Sequence, residues 1–493
     1  MTDEQNVPQD ENVYIQARRT KLEKIRELGI NPFPYKFDKD TDSKYVFENF
    51  DELESSQKKL ALAGRIMTMR VMGKASFCHI QDQSGQIQLY VKRDEVGEEN
   101  YKLFKLMDIG DIMGVSGTAF RTQKGEISIK AGQVTILSKA LRPLPEKWHG
   151  LKDIETRFRQ RYLDLITNPD IKDLFIKRSQ LIKAMRNFLD SEGFLEVETP
   201  VLQPLYGGAS ARPFVTHHNA LDMELFLRIA DELYLKRLII GGYEKVYEVC
   251  KDFRNEGIDR AHNPEFTMIE FYMAYADYHQ VMDLIKRMLL EIAQKVFGKT
   301  AFEFGDMKFD LNSEWKVLPI LDGIKQYTGI DAANLDDTAL VKECERLGIE
   351  IEKHRGRPKI LDDIFTEKVQ PNLIQPTFLT DHPIEMSPLA KLHREHQGLT
   401  ERFELFIGGS EVCNAFSELN DPDDQRERFM AQKEFSKLGD DEAQKLDEDF
   451  LRAMEHGMPP TGGLGIGVDR LFMLLTGQTN IREVILFPQL KPE

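Results

Sequence analysis

The segment 246–272, VYEVCKDFRNEGIDRAHNPEFTMIEFY, concentrates charged and aromatic side chains where a pair of strands is expected. Its first apolar run ends in Phe253, Arg254, Asn255 and Glu256. The second opens at His262, Asn263, Pro264, Glu265 and Phe266, beyond a polar loop. Side chains alternate faces along a strand, which puts Phe266, Met268, Glu270 and Tyr272 on one face. Acids, an arginine, a histidine and aromatics thus converge on one hairpin. Burying so many charges is unfavourable unless a ligand pairs with them. A planar adenine with a polyphosphate tail would engage most of them.

Two later stretches carry matching chemistry. Residues 463–470, GLGIGVDR, run into the apolar helix pattern 471–475. Alone this reads as a glycine-rich turn before a core helix. It would equally let the backbone approach a nucleotide while Arg470 reaches the phosphates. Residues 402–420 are apolar but interrupted by acids. Glu404 and Glu411 are costly in a buried strand without a partner, and a nucleotide-borne Mg2+ takes carboxylate oxygens. Asn414 and Glu418 share a face at even spacing, so Glu418 can pair with a substrate ammonium; a structural ion pair is the alternative.

These groups need elements to hold them. A helical pattern over 171–190 precedes GFLEVETP at 193–200, a helix, a strand and a proline. With 493 residues the chain exceeds one hydrophobic core, so more than one domain is expected. Residues 1–58 read as an N-terminal helical extension. Over 59–142 the alternating runs 61–67, 77–81, 85–91, 112–119 and 126–137 have a helical pattern near 100–106 after the third, which is the OB-fold order. Cys78, Ile80, Ile87, Leu89 and Val91 are expected to face its core. Phe77, His79, Gln86, Gln88 and Tyr90 then point outward, a surface suited to stacking and reading single-stranded bases. Residues 141–145 read as an extended linker. From 143 to 493, apolar strands alternate with amphipathic helices. A polar, mostly helical stretch about 310–376 looks inserted, and the acidic helix near 440–454 looks solvated.

Composition sets bounds. The polar, acidic start, MTDEQNVPQDEN, is not a secretory signal. No apolar run reaches the roughly 18 residues that cross a membrane. The four cysteines, Cys78, Cys250, Cys344 and Cys413, are far apart, which argues against a zinc site or a disulfide framework and fits a reducing cytoplasm. The net charge of −16 disfavours a general nucleic-acid-binding surface. Local basic patches remain, such as the helical segment 18–26.

The three signatures, at 171–200, 246–272 and 463–475, resemble those of class II aminoacyl-tRNA synthetases and occur in that family's order. An N-terminal OB-fold joined to them resembles the subgroup that charges lysine, aspartate or asparagine, and Glu418 favours lysine, since an aspartate substrate would need a cation there. Residues 209–219 (ASARPFVTHHN), 228–242 and 382–391 (HPIEMSPLAK) are also similar to the bacterial-type class II lysyl-tRNA synthetases. The resemblance covers nearly the whole chain. It implies an α+β fold: an OB-fold β-barrel followed by a catalytic domain of antiparallel sheet flanked by helices.

The resemblance also implies roles. Arg254 would hold the substrate carboxylate and the α-phosphate. Glu256, Asn263 and Phe266 would hold adenine, with Phe266 stacked on the ring. His262 and Arg470 would meet the outer phosphates, and Glu404 and Glu411 would carry Mg2+. Gly208, Glu232 and Glu270 would surround the α-amino group, Asn414 would assist the carboxylate, and Tyr272 and Glu418 would bind the side-chain ammonium. Phe77, His79 and Gln88 would read the anticodon. The implied reaction joins L-lysine to tRNA(Lys) with ATP through a lysyl-adenylate, in a cytoplasmic homodimer. One departure is Ala261, where many bacterial members have arginine; Arg260 is the candidate substitute. Three other functions fit these residues less well. A synthetase-like tRNA-binding protein would not need Arg254, Glu256, Glu404, Glu411 and Arg470 together. An adenylate-forming enzyme that modifies a protein would not be expected to carry the barrel. Aspartyl or asparaginyl specificity is opposed by Glu418.

Overall fold

The computed structural model describes residues 9–145, 151, 153–349, 356–437 and 445–492. It divides into two compact units, Met1–Lys152 and Asp153–Glu493.

In the first unit, helices α1 (Gln9–Glu27), α2 (Ser43–Glu48) and α3 (Phe50–Ser56) precede a barrel. The barrel strands are β1 (Leu60–Met72), β2 (Ala75–Gln81), β3 (Gln86–Lys92), β4 (Ile112–Arg121) and β5 (Ile127–Ser138). Helices α4 (Arg93–Val96) and α5 (Glu98–Leu106) lie between β3 and β4. The strands close in the order β1-β2-β3-β5-β4. Strict alternation builds the core: Cys78, Ile80, Ile87, Leu89 and Val91 are all buried, joined by Tyr101, Leu103 and Phe104 of α5 and Ile25 of α1. The basic face of α1 is partly committed within this unit. Arg18 donates to the carbonyls of Ile109 and Ala140 at 2.8 and 3.1 Å, and Lys21 pairs with Asp108 at 2.5 Å.

The second unit opens with α6 (Ile154–Arg159), α7 (Arg161–Thr167) and the long α8 (Pro169–Ser191), which starts on proline, a residue preorganised for a first helical turn. Then come β6 (Leu195–Glu196), β7 (Leu202–Gln203), β8 (Val215–His218), β9 (Met223–Leu227), α9 (Glu232–Ile240), β10 (Lys245–Phe253), β11 (Glu265–Ala274) and α10 (Tyr278–Ile292). The hairpin β12 (Ala301–Phe304) and β13 (Met307–Asp310) leads to β14 (Lys316–Pro319), α11 (Ile320–Thr328), α12 (Asp337–Leu347), α13 (Arg357–Ile364) and β15 (Thr377–Thr380). The chain finishes with β16 (Arg402–Ile407), β17 (Ser410–Ser417), α14 (Pro422–Lys437), α15 (Glu448–Glu455), β18 (Thr461–Gly467), α16 (Val468–Thr476) and α17 (Ile481–Val484).

An eight-stranded sheet runs β14-β15-β16-β17-β18-β11-β10-β6. Its central pairs are antiparallel, and a parallel pair closes each edge. One face is apolar. Ile269, Phe271, Leu464 and Ile466 pack there against Leu181 and Met185 of α8, Val281 and Ile285 of α10, and Leu471 and Phe472 of α16. A capping box between Asp277 and Gln280 starts α10, satisfying backbone N–H groups that the helix cannot bond itself. Alternation on β11 turns Phe266, Met268, Glu270 and Tyr272 to the opposite face, where the cavity described below lies.

Two expectations change. The stretch about 310–376 holds helices α11 to α13, but it also supplies β14, paired parallel with β15 at the sheet edge. Four residues are too few to show a strand period, so the pattern hid it. The acidic helix is not simply solvated. Residues 440–444 of that span lie outside the described residues, and α15 buries Phe450, Leu451 and Met454 against Leu233 and Phe429. Among the described residues no helix is long and apolar enough to cross a membrane. All four cysteines are free and buried.

Candidate active site

Strands β10 and β11 pair antiparallel from Lys245↔Met273 to Phe253↔Glu265. The pairing continues one step, as Arg254 N–H donates to the Pro264 carbonyl at 2.9 Å. Asp259 organises the intervening loop, accepting from the His262 N–H at 2.7 Å and lying 2.9 Å from its ring Nδ1. Asn263 is buried. Its Nδ2 donates to the Glu265 carbonyl at 2.5 Å, and its Oδ1 has no partner among the described residues.

The hairpin floors a cavity of about 390 Å³. Arg254, Glu256, His262, Asn263, Phe266, Glu270 and Tyr272 line it from the hairpin and its loop. Glu404, Glu411, Asn414 and Glu418 line it from β16, β17 and the residue after β17, and Arg470 from α16. Gly208 and Glu232 complete the set. Gly208 sits at φ +86°, which glycine adopts without strain, close beside Glu232. The cavity therefore brings together every residue assigned to the ATP and lysine sites from sequence. Ala261 lines it too, whereas Arg260 is exposed and is not among the lining residues.

In the polyphosphate-type group of side chains, the Arg254 guanidinium lies over the Phe266 ring, 5.0 Å from its centroid. Arg470 donates to the Glu411 carbonyl at 3.0 Å and reaches its carboxylate at 3.3 Å. Glu404 and Glu411, expected to need a partner that Mg2+ could supply, have protein cations as well. Arg402 pairs with Glu404 at 2.5 Å and donates to Asn414 Oδ1 at 3.0 Å, while His382 lies 3.6 Å from the other Glu404 oxygen. Burial alone would raise the Glu404 pKa; Arg402 and then His382 outweigh it and hold it down to about 2. The signal for Arg402 was its place two residues before Glu404 on one strand face.

The acidic group of side chains also holds a cation that sequence reading missed. Lys236, fully buried on α9, donates to Glu232 at 2.6 Å and lies 2.5 Å from Glu418 Oε2. Of the two readings of Glu418, an acceptor for a substrate ammonium or a structural ion pair, the structure shows an ion pair with a protein lysine, and Glu418 also lines the cavity. The Glu232–Lys236 spacing of four residues on a helix was the available signal. Burial pushes Glu418 up to about 8, with Lys236 pulling it down and Glu232 pushing it up. Burial works against the Lys236 charge, yet Glu232 and Glu418 outweigh it and raise its pKa. Tyr272 Oη donates to Glu270 at 3.3 Å. Beneath lies a network of carboxylates around Arg228, which binds Glu248 at 2.6 Å and lies 3.4 Å from Asp252. Burial, then Asp252 and Glu248, push Asp231 up to about 8. Burial, then Asp231 and Asp252, raise Glu270 well above the usual carboxylate range. Asp231, Cys250 and Asp252 bring potential metal-ligand atoms within 4.8 Å of one another. Arg228 already supplies a cation there, and burial, then Asp231 and Asp252, raise the Cys250 pKa far up, so it stays a thiol.

On the barrel, Phe77 and Tyr90 have ring centroids 5.0 Å apart, and Tyr90 and Phe120 5.9 Å apart, forming an outward aromatic row. His79 lies opposite Gln88. One acid that sequence reading passed over links them: Glu126 lies 3.0 Å from the His79 ring and accepts from Gln88 at 2.7 Å.

Comparison with known proteins agrees with this architecture. Residues 60–137 match the family of OB-fold nucleic acid binding domains, and residues 153–491 match the class II tRNA synthetases (D, K and N). The second match spans more than half of the chain and defines a class II synthetase. The lysine–tRNA ligase of Carboxydothermus hydrogenoformans is 53% identical over 485 residues, covering 98% of this chain and 99% of the relative. Those of Staphylococcus epidermidis and Syntrophomonas wolfei are 53% and 54% identical, each covering 97% of this chain and 99% and 96% of the relatives. The chain belongs to the lysine–tRNA ligase family.

Proposed function

We infer that the chain ligates L-lysine to tRNA(Lys) with ATP, through a lysyl-adenylate. The observation that carries this reading is one cavity holding Arg254 and Arg470 together with the acidic set Glu232, Glu270 and Glu418. The first set suits a polyphosphate and a carboxylate; the second suits a substrate with two ammonium groups. In the first step a lysine carboxylate oxygen attacks the α-phosphorus and pyrophosphate leaves. In the second, a terminal ribose hydroxyl of tRNA attacks the lysyl carbonyl and AMP leaves. No residue need form a covalent bond. Positioning and charge stabilisation supply the rate.

In this reading Arg254 bridges the substrate carboxylate and the α-phosphate, with Asn414 assisting. Glu256 and the unpartnered Asn263 Oδ1 bind adenine, and Phe266 stacks on it. His262 and Arg470 take the outer phosphates. Gly208, Glu232 and Glu270 receive the α-amino group, and Tyr272 and Glu418 the side-chain ammonium. Glu404 and Glu411 fit Mg2+ in donor chemistry: both offer carboxylate oxygen, and Arg402 keeps Glu404 ionised. Bound there, Mg2+ would neutralise charge on the phosphates. Phe77, His79 and Gln88 form the anticodon surface. The family resemblance supports a homodimer, and four buried free thiols suit a reducing cytoplasm.

The test is ATP–pyrophosphate exchange with each standard amino acid, followed by charging of total tRNA. Lysine alone should support rapid exchange, and only tRNA(Lys) should be charged. Exchange without tRNA charging would point instead to an enzyme that modifies a protein.

A further inference from the structure

Two carboxylates, Glu232 and Glu418, meet a single ammonium, Lys236, in the acidic set. Lys236 is fully buried and does not line the cavity, whereas both carboxylates do. The cation therefore lies behind the carboxylates as seen from the substrate. With both carboxylates and Lys236 ionised the trio carries one net negative charge, and a substrate ammonium brings it to neutrality. Glu418 is also shaped from the other side: a Cβ on Gly463 would collide with Glu418 Oε1 and the Tyr272 ring. One carboxylate oxygen, Oε2, thus lies 2.5 Å from the Lys236 ammonium as an ion pair, while the other lies over a residue with no side chain. The charged and titratable groups facing this trio are Glu270 and Tyr272 on β11, and Asp231 just before α9.

We propose that Lys236 is the positioning residue of the side-chain subsite: its ammonium, clamped between Glu232 and Glu418, sets the orientation and charge of the carboxylate that receives the substrate's ammonium. This rests on the reading of Glu418 as that acceptor. Without Lys236, two carboxylates face each other in a buried place, and one takes up a proton. Glu418 then keeps its proton to still higher pH, and meets lysine as a neutral acid until the pH is raised further.

The experiment is ATP–pyrophosphate exchange across pH 6 to 9.5 for the wild type, Lys236→Met, Lys236→Gln and Glu418→Gln, with circular dichroism as the check on folding. For Lys236→Met the lysine KM at neutral pH should rise roughly tenfold or more, while the ATP KM stays within about twofold. The acid limb of kcat/KM for lysine should move up by about one pH unit or more, so that alkaline pH restores much of the loss. Lys236→Gln keeps a hydrogen-bond donor between the carboxylates and removes the charge; it carries the test if the Met variant does not fold, and the same pH shift is expected. An unchanged lysine KM, or a loss with an unshifted pH profile, overturns the proposal, as does failure of both variants to fold, which would make Lys236 a residue of stability alone. The underlying reading fails separately: in that case Glu418→Gln leaves lysine selectivity intact.

Discussion

The guanidinium of Arg254 rests on the face of Phe266, 5.0 Å from the ring centroid, at the point where the β10–β11 pairing runs out. The stacking holds a flexible cation at the cavity wall while Arg254 Nε remains without a hydrogen-bond partner among the described residues. A charge held in place with donor capacity to spare suits an anion that arrives with the substrates.

Arg254→Ala should therefore abolish adenylate formation while leaving the fold intact. Loss of a preorganised charge contact costs about 3 kcal/mol, a hundredfold or more in rate. Pyrophosphate exchange near the wild-type level would remove Arg254 from the reaction.

Glu418→Gln keeps the shape but removes a buried charge. Breaking such a pair costs roughly 3–5 kcal/mol. The lysine KM should rise far more than the ATP KM in steady-state exchange. Equal effects on both would make Glu418 a structural partner of Lys236 and no more.

Phe77→Ala tests the barrel face. A stacked base is worth about 1–3 kcal/mol per aromatic. Charging of tRNA should weaken by roughly ten- to a hundredfold, with lysine–ATP exchange unchanged. Parallel loss in both assays would mean that the substitution damages the protein more widely, since exchange needs no tRNA.

Asp231→Asn addresses the buried acids under the pocket. Burial, then Asp252 and Glu248, push Asp231 from 3.8 to about 8, so the folded chain binds a proton that the unfolded chain releases. Stability from this group is fully present below pH 3.8 and is lost as pH rises through about 8. The variant should flatten that fall, by more than about 1 kcal/mol between pH 5 and 8. Denaturant titrations at the two pH values measure it; an unchanged slope would mean that Asp231 is ionised in the folded protein.

Light scattering at micromolar concentration should give the mass of two chains. A stable interface of this kind buries at least about 1,600 Å² in total. A single-chain mass would exclude the homodimer.

Local pattern made the scaffold of the site readable. Alternation placed Phe266, Met268, Glu270 and Tyr272 on one face of β11, and Cys78, Ile80, Ile87 and Leu89 inside the barrel, because a strand's geometry fixes a period of two whatever surrounds it. The hairpin and the glycine-rich turn before Arg470 were legible for the same reason, since both are written in neighbouring residues. The partners of the charges were not. Lys236 meets Glu418 across 182 positions of chain, and Glu126 reaches His79 and Gln88 from the turn before β5. Arg228 gathers Glu248 and Asp252 from β10. Each of those side chains alone reads as an ordinary surface charge. The strand β14 needed the edge of an existing sheet to define it, and α15 needed Leu233 and Phe429 to show which of its sides is buried. Periodicity states which way a side chain points; only the packed chain decides what it meets there, and for buried charges that meeting sets both the protonation and the chemistry.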